Sequence, residues 1–296
     1  MNKPKIIVIL GQTSSGKSDL AVELAKKFNG EIISADSRQV YKGMDLGSGK
    51  ITESEMKNIS HHLLDVVSPK NKFSVADFQK KSYSAINDIL KRGKLPIICG
   101  GTGFYIQSIV DGIVLPDFPK NPELTKKLES MELKDLQNKL RKLDSKRFKE
   151  IDTNNKIRLV RAIELATEFG KVPAIKKDPQ YESLQIGIKL EQNKLEENIH
   201  IRLIKRLKKG MVAEIKKLKE SGVSWKRLES FGLEYKYLAL FAQNKILKEE
   251  MSREIETKSR QFAKRQMTWF KRDQRIKWFK GREVLNIEKE VERFLK

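Results

Sequence analysis

The chain has 296 residues, of which 61 are Lys or Arg and 39 are Asp or Glu, so its formal net charge is +22. This length allows one large domain or two smaller ones, and no apolar run reaches the roughly 18–20 residues that a membrane span needs. The N-terminus leads straight into a predicted strand, so we expect no signal peptide. The single cysteine, Cys99, excludes an internal disulfide and a cysteine-based zinc site. We therefore expect a cytoplasmic protein.

The first part of the chain, from residue 5 to about 115, alternates between predicted strands and predicted helices. These elements are "KIIVIL" (5–10, strand), 19–28 (helix), "EIISAD" (31–36, strand), "ADFQKKSYSAINDILKRG" (76–93, helix) and "LPIICGG" (95–101, strand). Continuous apolar strands that alternate with helices are typical of a parallel sheet covered on both faces. We therefore predict an α/β fold whose mainly parallel sheet is flanked by helices.

The pattern changes at Pro116, where "PDFPKNP" holds three prolines in seven residues and predicts a domain junction. The chain then looks helical and charged as far as Glu182, without a convincing strand, before "LQIGIKL" (184–190) returns to a strand pattern. Beyond that strand the pattern is mostly helical, with one late strand near 276–279. We predict three segments: the first part of the core at 1–116, a helical insertion at 117–183, and a return to the core with basic helices at 184–296.

A phosphate-binding loop lies between the first strand and the first helix. It matches the pattern G-x-x-x-x-G-K-[ST] with Gly11, Gln12, Thr13, Ser14, Ser15, Gly16, Lys17 and Ser18. The glycines let backbone N–H groups converge on an anion, and the helix N-terminus adds the positive end of its dipole. Lys17 supplies a mobile charge, and Ser18 can ligate Mg²⁺. We therefore expect the ligand to be a diphosphate, a triphosphate or a molecule that carries one.

Polar residues also follow two other predicted strands. Asp36 ends the second strand, at the edge of the sheet where ligands of α/β proteins bind. Its carboxylate can be a metal ligand or a general base for a second substrate, or it can merely cap a turn. The "GGTGFY" loop (100–105) brings the Thr102 hydroxyl to the same edge, although glycines also make ordinary strand–helix turns. A nucleotide hydrolase usually has an acidic residue after a second apolar strand, whereas the clearest such strand here ends in Cys99 and glycines.

Two segments concentrate positive charge. "NNKIRLVRAIE" (154–164) places Arg158 and Arg161 on one helix face, and the segment 253–279 carries nine Lys or Arg against three acidic residues. Together with the net charge, they predict a polyanionic partner, either nucleic acid or a membrane surface, and we expect Lys264 and Arg265 to contact phosphates. The alternatives are a lysine bias of the whole proteome and a solvated helix whose aromatic residues face the core. Of the three histidines, two are adjacent in "HHLLD" (61–65), and we interpret them as structural.

Seven blocks of the sequence carry a resemblance to a known family. They are "GQTSSGKS", "DSRQVYKGMDLGSGK", "HHLLDVVSP", "FSVADFQ", "GGTGFY", "IRLVRAIE" and "FAKRQMTWFKRD", in that order. Over nearly its whole length the chain resembles the bacterial tRNA dimethylallyltransferases, also called tRNA isopentenyltransferases. The resemblance implies a P-loop core that transfers the dimethylallyl group of dimethylallyl diphosphate to the exocyclic N6 amine of the adenosine 3′-adjacent to the anticodon in certain tRNAs. It also implies Mg²⁺ as cofactor and the anticodon stem-loop as partner. We further expect a monomer and no membrane partner.

The resemblance further implies roles for single residues. The loop Gly11–Ser18 would cradle the donor's diphosphate with Mg²⁺ near Ser18, Asp36 would take a proton from the adenine amine, and Thr102 would contact the diphosphate near the breaking bond. Lys17 would stabilise the leaving group together with an arginine. The residues lying against tRNA would be Asp36, Ser37, Arg38, Gln39, Thr102, Ile157, Arg158, Leu159, Val160 and Arg161.

The identity of the diphosphate-binding arginine stays open. The family usually has two arginines four apart, and here these are Arg202 and Arg206. Gly210 follows them about one helical turn sooner than the family pattern places a later glycine, which favours Arg202, whereas the local pattern favours Arg206. Two other functions also stay open: a small-molecule phosphotransferase, which shares the phosphate loop, and a non-catalytic RNA-binding protein, which would bind tRNA regardless of changes at Asp36.

Overall fold

The computed structural model of the chain describes residues 3–116, 118, 121–281 and 283–296. The chain divides into two compact units, one formed by Met1–Gly112 with Pro179–Lys296 and the other by Ile113–Asp178. The predicted insertion, 117–183, overlaps the second unit. Its first residue lies outside the described residues, and so do two further residues of the proline-rich junction, Pro119 and Lys120.

The elements follow one another along the chain as strands and helices of very different length. The strands are β1 (Lys5–Gly11), β2 (Gly30–Ala35), β3 (His61–His62), β4 (Leu95–Gly100), β5 (Ile113–Val114), β6 (Lys176–Lys177), β7 (Glu182–Lys189) and β8 (Ile276–Lys280). The helices are α1 (Lys17–Lys27), α2 (Glu53–Met56), α3 (Val75–Lys91), α4 (Gly103–Val110), α5 (Pro122–Ser130), α6 (Leu133–Leu143), α7 (Ser145–Glu150), α8 (Lys156–Phe169), α9 (Gln192–Lys208), α10 (Met211–Glu220), α11 (Trp225–Ser230), α12 (Leu233–Ala242), α13 (Lys248–Phe270) and α14 (Val284–Leu295).

The first unit is built on a six-stranded sheet with the strand order β3-β2-β4-β1-β7-β8. Its five strand pairings among the described residues are all parallel, which confirms the predicted mainly parallel sheet. The return of the chain to the sheet at β7 and the late strand β8 are confirmed as well, since β7 pairs with β1 and β8 pairs with β7. A strand buried on both faces needs a continuous apolar run, and β1 has one, because Ile6–Leu10 are fully buried.

Helices cover both faces of this sheet. Successive side chains of a strand point to opposite faces, so Ile6, Val8 and Leu10 join one core cluster, with α3 and α4, while Ile7 and Ile9 join the other, with α1 and α14. A third cluster is formed by α9 to α13 around the segment 40–44. No helix among the described residues is long and apolar enough to cross a bilayer.

The second unit contains helices α5 to α8 around its own small core, in which Leu136, Leu140, Leu159 and Ile163 are fully buried. The expectation that the stretch after Pro116 holds no convincing strand is wrong in one detail, because β6 lies within that stretch. The two-residue strands β5 and β6 pair antiparallel through two residue pairs. Strands this short show no periodicity in the sequence, so the pattern of apolar residues does not reveal them.

Candidate active site

Three loops meet at the carboxyl edge of the central strands. The register places Gly100 of β4 opposite both Leu10 of β1 and Ala35 of β2, so the segments that follow these strands leave the sheet side by side. The Thr102 backbone N–H donates to Ala35 O at 3.1 Å, and the Ser37 N–H donates to Thr102 Oγ1 at 3.1 Å. The structure therefore brings the predicted phosphate loop, Asp36 and Thr102 together.

The phosphate loop has the backbone of an anion-binding turn. The φ angles of Ser14 and Gly16 are +62° and +84°, in the left-handed region, and α1 begins directly after Gly16. Successive N–H groups in alternating right- and left-handed conformations form a concave surface for anions. At Gly11, a Cβ atom would lie 2.7 Å from Ile188 O of the neighbouring strand, so this position has room only for glycine.

The loop is held by side chains from two distant helices. Gln12 Nε2 donates to Ala263 O of α13 at 3.2 Å, and Asn198 Nδ2 of α9 donates to Ser14 O at 3.2 Å. From α13, Gln266 Oε1 also accepts the Thr13 N–H at 2.8 Å. Sequence reasoning missed both Asn198 and Gln266. Gln266 lies in the "FAKRQMTWFKRD" block, so the resemblance of that block to the family was a signal that could have identified this residue.

Two cations face this loop from inside the protein. Lys17 Nζ donates to Gln12 O at 3.0 Å. Burial lowers the pKa of Lys17; the neighbouring charge of Arg202 adds to this shift, and that of Asp36 opposes it. Burial also lowers the pKa of Arg202, with Arg206 adding to the effect. Since desolvated cations close to one another destabilise the charged state, this arrangement favours the binding of an anion between them.

The two candidate arginines of α9 have different surroundings. Arg202 Nη2 donates to Gly49 O at 2.7 Å, and its charge acts on both Lys17 and Asp36. Arg206 Nη1 donates to Leu46 O and Gly47 O at 3.1 Å, and its Nη2 lies 3.2 Å from Glu234 Oε1. Both terminal nitrogens of Arg206 are thus engaged with protein groups, whereas the charge of Arg202 acts on Lys17 of the phosphate loop and on Asp36.

The segment 45–50, which carries the carbonyl partner of Arg202, is anchored by a carboxylate that sequence reasoning missed. Glu214 Oε2 accepts the N–H groups of Asp45 and Leu46 at 2.9 and 2.6 Å, while its Oε1 accepts the Gly47 N–H at 3.0 Å and the Tyr235 hydroxyl at 2.8 Å. Burial raises the pKa of Tyr235 well above its ordinary value, and the charge of Glu214 adds to this shift. Glu214 lies in a charged helix without a recognisable motif, so only the fold identifies it.

Asp36 is half-buried and caps the turn that follows β2. Its Oδ1 accepts the Arg38 N–H at 2.8 Å and the Gln39 N–H at 3.4 Å. The capping role weighed as an alternative is therefore present, and it uses one of the two carboxylate oxygens. Such bonds hold the carboxylate against the turn that follows β2.

The residues after Asp36, Ser37 to Gln39, are also half-buried, and the side chains of Arg38 and Gln39 are bonded to other parts of the protein. Arg38 Nε donates to Phe231 O at 2.9 Å, and its guanidinium lies 5.7 Å from the centre of the Phe231 ring. Gln39 Nε2 donates to Gly49 O at 3.3 Å, and Ser34 Oγ donates to Gln39 Oε1 at 3.0 Å. These contacts link the turn after β2 to the segment 45–50.

The basic segment 253–279 forms most of α13 and β8. Lys264 and Arg265 are exposed on α13, whereas Phe270 is buried and Trp269 and Trp278 pack against the core of the first unit. These two tryptophans therefore match the alternative in which the aromatic residues of this segment face the core. The exposed positions of α13 therefore offer charge rather than aromatic surface.

In the second unit, α8 begins after Asn155, whose side chain accepts the Arg158 N–H at 3.2 Å. Ile157 is 82% exposed and Arg158 is exposed, while Arg161 pairs with Glu164 at 3.2 Å and lies 4.6 Å from the Phe118 ring. Two expected tRNA-contacting residues need a correction. Leu159 and Val160 are buried in the core of this unit, so their side chains are not on its surface.

The adjacent histidines have structural partners. His61 Nδ1 lies 2.8 Å from Ile59 O, and His62 Nε2 lies 2.7 Å from Glu31 Oε2. Arg92, with Lys94 and His62, holds the pKa of the buried Glu31 well below its ordinary value, against the opposing effect of burial. Within the described ranges, no group of three or more His, Cys, Asp or Glu is placed to hold a metal ion.

Comparisons with known proteins show the family of the chain. The family model described as IPP transferase matches residues 39–273. The chain is 43% identical to tRNA dimethylallyltransferase 2 of Treponema denticola, over 92% of this chain and 93% of that protein. It is 39% identical to the tRNA dimethylallyltransferase of Carboxydothermus hydrogenoformans, over 98% of this chain and 96% of that protein.

Solved structures give the same result. The full-length tRNA isopentenylpyrophosphate transferase of Bacillus halodurans superposes with a TM-score of 0.74 at 34% identity, over 98% of this chain and 96% of that one. A eukaryotic dimethylallyltransferase, solved while acting on tRNA, has a TM-score of 0.80 at 27% identity, over 95% of this chain and 75% of that one. These matches confirm the resemblance and the P-loop fold class, and the chain belongs to the IPP transferase family.

Proposed function

We propose that this chain is a tRNA dimethylallyltransferase. It transfers the dimethylallyl group of dimethylallyl diphosphate to the N6 amine of the adenosine 3′-adjacent to the anticodon and releases diphosphate. Family membership and the names of the relatives support this class of reaction. The observation that carries the proposal at the level of residues is the meeting of the phosphate loop, Asp36 and Thr102 at one edge of the sheet.

The leaving group is stabilised by the phosphate loop and two cations. An allylic diphosphate ionises when the charge that develops on the departing oxygens is stabilised by preorganised donors. The backbone N–H groups of the loop, Lys17 and Arg202 supply such stabilisation. We assign the diphosphate-binding role to Arg202 rather than Arg206 because both terminal nitrogens of the Arg206 guanidinium are engaged with protein groups. Thr102 Oγ1 already accepts the Ser37 N–H, so its hydroxyl hydrogen is available to a diphosphate oxygen.

Asp36 acts as the general base. The N6 amine attacks the first carbon of the dimethylallyl group, the carbon–oxygen bond to diphosphate breaks, and its electron pair leaves with the diphosphate. The amine loses one proton, which passes to the Asp36 carboxylate. An aromatic amine is a poor nucleophile, so a carboxylate in hydrogen-bonding reach contributes substantially to the rate. The target base leaves its stack to reach this edge, as bases do in enzymes that modify them.

Mg²⁺ neutralises part of the diphosphate charge when it is bound. Ser18 lies exposed in the first turn of α1, directly after Lys17, and its hydroxyl oxygen is the ligand that this chain would offer. Mg²⁺ in phosphate sites takes few protein ligands and keeps waters and substrate oxygens, so this position fits the ion.

The tRNA is bound through its backbone on exposed basic residues. Lys264 and Arg265 on α13 would neutralise phosphates, and on the second unit the exposed Ile157 and Arg158 would lie against the anticodon stem-loop. Since one chain supplies the phosphate loop, the general base Asp36 and Arg202, we propose that the protein acts as a monomer. We propose that it acts in the cytoplasm, where its tRNA substrate is found.

Mass spectrometry of tRNA nucleosides tests the proposal. Purified protein, Mg²⁺, dimethylallyl diphosphate and an unmodified tRNA with adenosine 3′ to the anticodon should yield a nucleoside heavier by one dimethylallyl unit, with one diphosphate released per modification. A tRNA with guanosine at that position is the matched control. Transfer of a γ-phosphate from ATP, or tRNA binding without any product, would contradict the proposal.

A further inference from the structure

The side-chain amide of Gln266 joins the two loops of the candidate site. Gln266 lies on α13 and is 6% exposed. Its Oε1 accepts the Thr13 N–H of the phosphate loop at 2.8 Å, and its Nε2 donates to Gly101 O of the glycine loop at 3.0 Å. One buried amide thus satisfies a donor on one loop and an acceptor on the other.

The glycine loop packs directly on this face of α13. A Cβ atom at Gly101 would lie 2.2 Å from Gln266 Nε2, and a Cβ atom at Gly103 would lie 2.3 Å from Trp269 Cδ1, one helical turn further on. One turn earlier, Ala263 O accepts the Gln12 side chain. The contact is therefore tight on both sides, so a displacement of the Gln266 side chain has to move at least one loop.

We propose that Gln266 is a positioning residue, which sets the spacing between the phosphate loop and the Thr102 hydroxyl so that both address the same diphosphate. The inference rests on the proposed function. Hydrogen-bond donors accelerate a reaction only when they are held where charge develops in the transition state. Small displacements of these donors therefore lower the rate. Without the amide, the buried Thr13 N–H and Gly101 carbonyl would lose their partners, and the loops would move apart to regain water or other partners.

Two substitutions separate positioning from simple packing. Gln266→Met keeps the length of the side chain and removes both polar atoms. Gln266→Glu keeps the acceptor for the Thr13 N–H, but as a carboxylate it has no donor for Gly101 O. Burial raises the pKa of a carboxyl group, and the protonated form regains a donor. The Glu variant should therefore recover toward wild type as the pH falls.

The measurements are the Kd of inorganic diphosphate by calorimetry, the KM for dimethylallyl diphosphate with kcat, and the Kd of tRNA. For Gln266→Met we expect diphosphate affinity to fall about tenfold, since two buried polar groups lose partners. We expect kcat to fall as well, and tRNA affinity to stay within about twofold of wild type, because phosphate contacts on the exposed side of α13 set it. Gln261→Met, at an exposed position of the same helix, is the control for the diphosphate and donor measurements and should leave diphosphate affinity, the KM for dimethylallyl diphosphate and kcat unchanged.

The inference would be overturned if Gln266→Met had the same diphosphate affinity and kcat as the wild-type protein. It would also be overturned if the activity of Gln266→Glu relative to wild type did not change with pH. If Gln266→Met does not fold, the pH profile of Gln266→Glu decides alone. Failure of the proposed function is distinguishable: wild-type protein would then bind diphosphate without modifying tRNA, and the diphosphate titrations would still test Gln266.

Discussion

Replacing Asp36 by Asn isolates the chemical role of its carboxylate. In the structure, Asp36 Oδ1 accepts the N–H groups of Arg38 and Gln39 at 2.8 and 3.4 Å. An Asn side chain has the same shape and offers a carbonyl oxygen for the same bonds, so the turn after β2 should persist. The substitution therefore removes negative charge and basicity while leaving the local fold in place.

The expected loss follows from this geometry. General-base assistance contributes about 10²–10⁴-fold to a rate, which corresponds to about 2.7–5.4 kcal/mol of activation free energy. Because the charge of Asp36 acts on Lys17 and Arg202, its removal leaves the anion site more positive. Diphosphate affinity should therefore stay the same or rise while the chemical step slows.

The assay is a single-turnover measurement with saturating enzyme and donor and labelled tRNA, together with tRNA and diphosphate affinities. Asp88→Asn, at an exposed position of α3, is the matched control and should react at the wild-type rate. Asp36→Ala also loses the acceptor of the turn, so it should be less stable than Asp36→Asn by about 1 kcal/mol. A single-turnover rate of Asp36→Asn within about threefold of wild type would refute the general-base assignment, because the expected loss is at least about a hundredfold.

The remaining predictions concern the leaving group, the tRNA surface and the stability of the sheet. Arg202→Ala should lower kcat by about 10²–10³-fold and weaken diphosphate binding, whereas Arg206→Ala should mainly lower Tm. If diphosphate titrations show a larger loss of affinity for Arg206→Ala than for Arg202→Ala, the two roles are exchanged. Combining Lys264→Ala with Arg265→Ala should weaken tRNA binding and lower the slope of log K against log salt by roughly one to two units, and an unchanged slope would place the RNA elsewhere. Glu31→Gln should lower the free energy of unfolding by about 1–2 kcal/mol at pH 7. Since the folded-state pKa of Glu31 is depressed, its contribution to stability is present above about pH 4.3 and is lost as the pH falls through the folded-state pKa. A Tm difference between variant and wild type that is the same at pH 7 and pH 2 would contradict this prediction.

The sequence by itself determined those features that depend on neighbours along the chain. The apolar run of β1, the glycines and Lys17 of the phosphate loop, and the late strand β8 are all encoded within windows of a few residues. Alternation of buried strands with helices then predicted the parallel sheet, and the sheet predicted that Asp36 and Thr102 meet the phosphate loop at one edge. Local periodicity and the rules for parallel strands suffice for these steps.

Tertiary structure decided which side chains reach the site from far along the chain. Gln266 contacts Thr13 across 253 positions, and Glu214 binds the backbone of Leu46 across 168 positions. Local periodicity in the sequence does not reveal such pairs, because they depend on how α10 and α13 pack. The same reason separates the neighbours Ile157, which is exposed, and Leu159, which is buried: the face of α8 that meets its core fixes exposure, and residue type alone does not.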